Sequence, residues 1–167
     1  MRVAGLILVL STLIGCTSAA PPPADNTTTE PPTMSWRTLQ NGGYGALQER
    51  VPRIKISTDT ASYAHDWEAL VGSGTSPAVD FTKESVIFIM AGRRNTGGYA
   101  VQAEDATVTG DVATVRVRSV EPPSGGVTTQ VITSPFVVIA VSHPGIASAR
   151  WIDIREGRVV AEDSRTP

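Results

Sequence analysis

Residues 86–90 read Val86-Ile87-Phe88-Ile89-Met90, five apolar positions without a polar break. A half-buried strand alternates apolar with polar residues. A short run that does not alternate predicts a central strand covered on both faces. A second apolar pair follows at Val131-Ile132 and Phe136 to Val141, interrupted by Ser134-Pro135. Strands of this kind need a layer on each side, and the rest of the chain has to supply those layers.

Working outward, Arg53 to Ser57 alternates, with Ile54 and Ile56 on one side. Tyr99 to Val108 carries Tyr99, Val101 and Ala103 in alternation. Val112 to Val120 puts Val115 and Val117 on one face and Arg116 and Arg118 on the other, and Gly110-Asp111 is a tight-turn signal between these two segments. Trp151 to Ile154 and Val159 to Ala161 read as a closing hairpin across Glu156-Gly157. Residues 34–50, with Trp36, Leu39 and the turn Gly42-Gly43-Tyr44-Gly45, are expected to add a strand.

One helix stands out at 59–71. Thr58, Asp59 and Thr60 offer N-caps, and Tyr63, Trp67, Leu70 and Val71 fall at i, i+4, i+7 and i+8 on one face. His65, Asp66 and Glu68 are expected on the opposite face, and Gly72 is a C-cap. The predicted architecture is mainly β (α+β): an antiparallel β-sandwich-like domain over 34–163, with one amphipathic helix packed on a sheet and Trp67 as its anchor. Residues 164–167 are expected to be a tail.

The N-terminus has a different character. Met1-Arg2 is followed by an apolar run, Val3 to Leu10, too short to span a bilayer, and then by Leu13-Ile14-Gly15-Cys16. This is the pattern of a lipoprotein signal peptide, residues 1–15, with Cys16 as the lipidated first residue of the mature chain. Cys16 is the only cysteine among 167 residues, so it has no disulfide partner within the chain. Acyl chains contribute about 0.8 kcal/mol per buried CH₂, and two or more anchor stably. Residues 16–33 comprise this cysteine and a Pro/Thr-rich stretch without bulky apolar side chains, which reads as a disordered tether. The expected location is the extracytoplasmic cell envelope, lipid-anchored to a membrane, with the outer membrane favoured in a diderm cell because no Asp follows Cys16.

Composition narrows the function. The net charge is −2, and becomes −3 once Arg2 leaves with the signal, with no basic face for nucleic acid. His65 and His143 share no metal-ligand spacing, no GxSxG elbow is present, and acylation removes the one thiol. Asp66 with Glu68 and Glu104 with Asp105 read as solvated pairs, because paired catalytic carboxylates must face each other across a cleft. No catalytic residue, metal or cofactor is expected, and the chain is not read as an enzyme.

The concentrated composition lies at Gly92-Arg93-Arg94-Asn95-Thr96-Gly97-Gly98-Tyr99, between two strands. Adjacent glycines serve a turn, or allow close approach by a partner. Together with Trp67-Glu68-Ala69-Leu70, Val79-Asp80-Phe81, the strand at 86–90 and Thr133-Ser134-Pro135-Phe136, this segment resembles the C-terminal domain of the PrcB family, over roughly residues 50–142. The resemblance implies a non-catalytic accessory domain that associates with or stabilises a protease.

A weaker likeness is to chagasin-type cysteine-protease inhibitors, which present three loops. Asn95-Thr96-Gly97-Gly98-Tyr99, Pro123-Ser124-Gly125-Gly126 and Ser134-Pro135-Phe136 keep the loop order. They lack the Pro after the Asn, the first Gly of the middle motif and the Arg of the last. The candidate partner-binding residues are therefore Arg93, Arg94, Asn95, Thr96, Gly97, Gly98, Tyr99, Gly125, Gly126, Pro135 and Phe136. The partner is a protease or another envelope protein. A structural envelope lipoprotein, in which the glycines serve only turns, is the third alternative.

Overall fold

The computed structural model describes residues 34–72 and 74–165. The expected signal peptide, the expected lipidation site Cys16 and the expected tether lie outside the described residues.

Among the described residues eight strands and one helix follow in order: β1 (Trp36–Gly42), β2 (Arg53–Ser57), α1 (Thr60–Asp66), β3 (Ser85–Met90), β4 (Ala100–Thr109), β5 (Val112–Val120), β6 (Phe136–Val141), β7 (Ser148–Asp153) and β8 (Val159–Ser164). They form two four-stranded sheets, ordered β1-β6-β3-β2 and β4-β5-β7-β8. The fold is β-rich and sandwich-like, as the alternation predicts. One pairing departs from the antiparallel expectation, since β5 and β7 run parallel, with Val112 opposite Ser148 and Val117 opposite Asp153.

The run at 86–90 is covered on both faces. Ile87 and Ile89 point between the sheets, into a core shared with Val137, Ile139, Val115, Val117 and Trp151. Val86, Phe88 and Met90 point outward and pack with Phe136, Val138 and the helix residues Tyr63, Trp67 and Leu70. Every residue of β3 and β6 is buried. On β5, Val115 and Val117 are buried while Arg116 and Arg118 are exposed, as expected.

The helix begins where Asp59 accepts the Ser62 backbone N–H at 2.8 Å. After Asp66 it continues as one π-helical turn, Trp67–Val71, closed by the Gly72 N–H donating to the Trp67 carbonyl at 3.0 Å. Tyr63 and Trp67 meet edge to face at 5.7 Å, and Trp67 meets Phe88 in the same manner at 6.4 Å. Asp66 is buried, contrary to its expected place on the polar face. It stands three residues after Tyr63, at the margin of the apolar stripe, and accepts the Ser57 hydroxyl at 2.8 Å.

Two further expectations change. Val131 and Ile132 belong to no strand and are 46% and 54% exposed. Their neighbours Thr133 and Ser134 make isolated bridges to Arg94 and Tyr44 instead. The C-terminal residues Ser164 and Arg165 are no tail: β8 includes Ser164, and the Arg165 N–H bonds the Ala147 carbonyl at 2.8 Å. The open edge of β2 is covered at the same corner, where the Ile56 N–H donates to Asp163 at 3.1 Å.

Trp67→Ala is expected to cost about 3–5 kcal/mol, the usual range for a fully buried aromatic. Glu68→Ala, on the solvent side of the same turn, is expected to stay within about 0.5 kcal/mol. Urea unfolding of the two variants measures both.

Candidate functional site

Strand register decides which loops meet. Arg53, Met90, Phe136 and Gly42 align at one end of the first sheet. Ala100 and Val120 align in the second, and the parallel β5–β7 pair brings Asp153 to that same end. Segments 43–52, 91–99, 121–135 and 154–158 therefore emerge from one end of the sandwich.

These segments are tied to one another through their backbones. Gly92 has φ +78°, and a Cβ there would lie 2.7 Å from the Arg50 carbonyl oxygen, so its conformation and its space both demand glycine. The next residue, Arg93, donates its N–H to the Glu49 carbonyl at 2.7 Å. Arg94 and Thr133 exchange backbone bonds of 2.7 and 3.0 Å, the Thr133 hydroxyl donates to the Thr96 carbonyl at 2.9 Å, and the Gly97 N–H donates to the Thr129 carbonyl at 2.9 Å. On the far side, the Ser134 N–H reaches the Gly43 carbonyl at 2.8 Å.

The two glycines at 97 and 98 have internal duties. A Cβ on the buried Gly97 would fall on Thr129 Oγ1, far inside van der Waals contact. Gly98 has φ +88°, and a Cβ there would lie 2.9 Å from the Pro122 side chain. Close approach does explain the pair, but the approaching chain is the protein's own 122–129 segment. Thr96, Arg93 and Arg94 are half-buried and Asn95 is exposed. Tyr99 is half-buried beneath the Arg94 guanidinium, which sits 5.5 Å from its ring centroid.

The other expected contact residues divide. Gly125 and Gly126 are exposed on a turn closed by the Gly126 N–H donating to the Pro123 carbonyl at 3.0 Å. Pro135 and Phe136 are buried. Phe136 is 4% exposed, packs in the outer core with Phe88 and Met90, and lies so close to Gly42 that a Cβ there would come within 2.8 Å of its ring. Neither offers a surface to a partner, because the β6 strand they open is buried on both faces.

The same end carries exposed apolar side chains that the sequence reading did not single out as contacts. Tyr44 is 70% exposed, Val51 61%, and Val127 is fully exposed, beside the half-exposed Val131 and Ile132. Their available signal was bulky apolar residues inside Gly/Pro/Thr-rich connections.

Next to Tyr99, a cleft of about 340 Å³ opens between loop 91–99 and the β7–β8 hairpin. Its wall includes Asp153, whose carboxylate accepts the Ser119 hydroxyl at 2.6 Å and the backbone N–H groups of Arg155 and Glu156 at 2.8 and 3.3 Å. Burial raises its pKa, yet these hydrogen bonds outweigh burial and hold it below the ordinary 3.8. Among the described residues no three His, Cys, Asp or Glu side chains converge as metal ligands, and no helix is long and apolar enough to cross a membrane.

Residues 85–142 match the family model described as PrcB C-terminal. The matched segment starts with β3 and ends just after β6, so it holds the buried strand pair and the loops 91–99 and 121–135. It supports the resemblance drawn from the TGGY segment, and links the chain at family level to a protease-associated accessory role. No curated protein and no solved structure gives a match.

Gly97→Ala is expected to lose about 1–2 kcal/mol through overpacking against Thr129. Thr129→Ala removes the atom in the way, and the next atom lies at an ordinary 3.6 Å. The double variant should therefore recover most of the loss in a denaturation cycle. Asp153, with its lowered folded pKa, contributes stability that is present above its unfolded pKa and lost as pH falls through the folded one. Asp153→Asn should flatten the fall in melting temperature below about pH 4.

Proposed function

We propose that this chain is a non-catalytic envelope lipoprotein, anchored through Cys16, whose loop end docks onto a protease as an accessory or stabilising subunit. The observation that carries the reading is the loop end itself. Tyr44, Val51, Val127, Val131 and Ile132 leave apolar surface in water on two connections, 43–52 and 121–135, that are bonded to each other, and the second lies inside the PrcB C-terminal match. Exposed apolar side chains gathered in one region mark an interaction surface. Their fixed backbones lower the ordering cost of docking.

The inhibitor reading is weaker on geometry. A three-loop wedge needs its third loop at the surface, and Pro135 and Phe136 are inside the domain. The anchor and tether reading rests on the sequence at 1–33, and gives the domain reach from the membrane.

The test is photo-crosslinking in the native envelope from a reactive residue at position 127, which is fully exposed. A peptidase-bearing protein should be recovered by mass spectrometry from the otherwise natural chain, and lost when Ile132→Asp places a charge in the apolar surface. Recovery of no such protein, or equal recovery from the charged variant, removes the reading.

A further inference from the structure

We propose that the cleft beside Tyr99 binds a carboxylate, supplied by the C-terminus or an acidic side chain of a peptide with an apolar residue next to it. The proposal rests on the loop-end reading for its partner and adds the chemistry that partner must present.

The cleft's volume, about 340 Å³, lies in the range of sites that enclose small groups. Two of its lining residues carry enclosed side-chain N–H groups that have no partner within the protein. Arg94 is fixed by its backbone bonds to Thr133 and by its seat over Tyr99, yet its buried Nε has no partner. Trp151 is 2% exposed and lines the same cleft, and its Nε1 is likewise buried without a partner.

The charges around the cleft are unequal in engagement. Asp153 is saturated by Ser119 and two backbone N–H groups, and Glu156 is paired with Arg158. Among the described residues Arg94 and Arg155 make no ion pair, although both line the cleft. A guanidinium presents a planar fork of N–H donors that matches the two oxygens of a carboxylate. Arg94 lies over the Tyr99 ring, 5.5 Å from its centroid, which narrows the orientations open to its guanidinium. Glu121 also lines the cleft and makes no ion pair, which disfavours a compact polyanion such as phosphate and offers an acceptor for a peptide N–H. Val101, Val120 and Val160 are part of the lining and suit an apolar side chain beside the carboxylate.

The test titrates the full chain with four probes while NMR follows the indole and guanidinium N–H signals. The probes are an acetylated tripeptide ending in leucine with a free carboxylate, the same tripeptide amidated, an amidated tripeptide with an internal glutamate, and inorganic phosphate. A saturable shift of the Trp151 indole N–H is expected with at least one carboxylate-bearing peptide, and which one responds identifies the source. Arg94→Gln keeps the backbone bonds to Thr133 and should weaken binding about tenfold or more, with part restored by Arg94→Lys.

An equal response to the plain amide or to phosphate overturns the proposal. So does the absence of any saturable shift at millimolar probe, or an affinity unchanged in Arg94→Gln. Crosslinking from position 127 uses a different surface. If it succeeds while the titration fails, the cleft is wrong and the loop-end reading stands. If the titration succeeds and crosslinking fails, the carboxylate site stands without that partner.

Discussion

The antiparallel pairing of β3 with β6 leaves neither strand a face in water. Ile87 stands opposite Ile139 and Ile89 opposite Val137, pointing between the sheets. Phe88 stands opposite Val138 and Met90 opposite Phe136, pointing the other way. Two central strands that are apolar on both sides oblige the chain to build a layer on each. The second sheet covers one side, and the helix, with Tyr63, Trp67 and Leu70, covers the other. Each fully buried aliphatic or aromatic side chain contributes roughly 1.5–3 kcal/mol, so this pair is the largest concentration of driving force in the domain.

That constraint also shapes the loop end. The long connections 91–99 and 121–135 leave the β3–β6 pair at the same place, because Met90 and Phe136 are partners in register. Two segments released side by side can bond each other directly, as Arg94 and Thr133 do. The glycines at 92, 97 and 98 then allow backbones to pass at distances no side chain would permit. Apolar side chains such as Val127 and Ile132 are thereby displayed on a frame whose main chain is already ordered.

Much of the fold was legible because it rests on local period. Alternation at 53–57 and 112–120, the unbroken runs at 86–90 and 136–141, and the helical spacing of Tyr63, Trp67 and Leu70 each report the residue's own surroundings. What escaped depends on contacts distant in sequence. Nothing local in Val112–Val120 or Ser148–Asp153 says that they run parallel. Phe136 looked like part of a loop motif because Ser134-Pro135 precedes it, yet its register opposite Met90 and Gly42 puts it inside. The TGGY segment stands out by its composition. Composition could not say that its glycines face Thr129 and Pro122 of the same chain.

The parallel β5–β7 pair has a consequence for the cleft. After β6 the chain crosses between the sheets at the end opposite the long loops, where the Ala147 and Ser148 N–H groups both reach the Asp111 carbonyl, at 2.9 and 3.2 Å. This places the start of β7 beside the start of β5, so the two strands must run in the same direction. Asp153, Arg155 and the 154–158 hairpin are thereby delivered to the end that holds Arg94 and Tyr99. An antiparallel β7 would have left them next to the Gly110-Asp111 turn, with no cleft beside Tyr99. The strands outside the family match thus complete a site whose other wall lies within it.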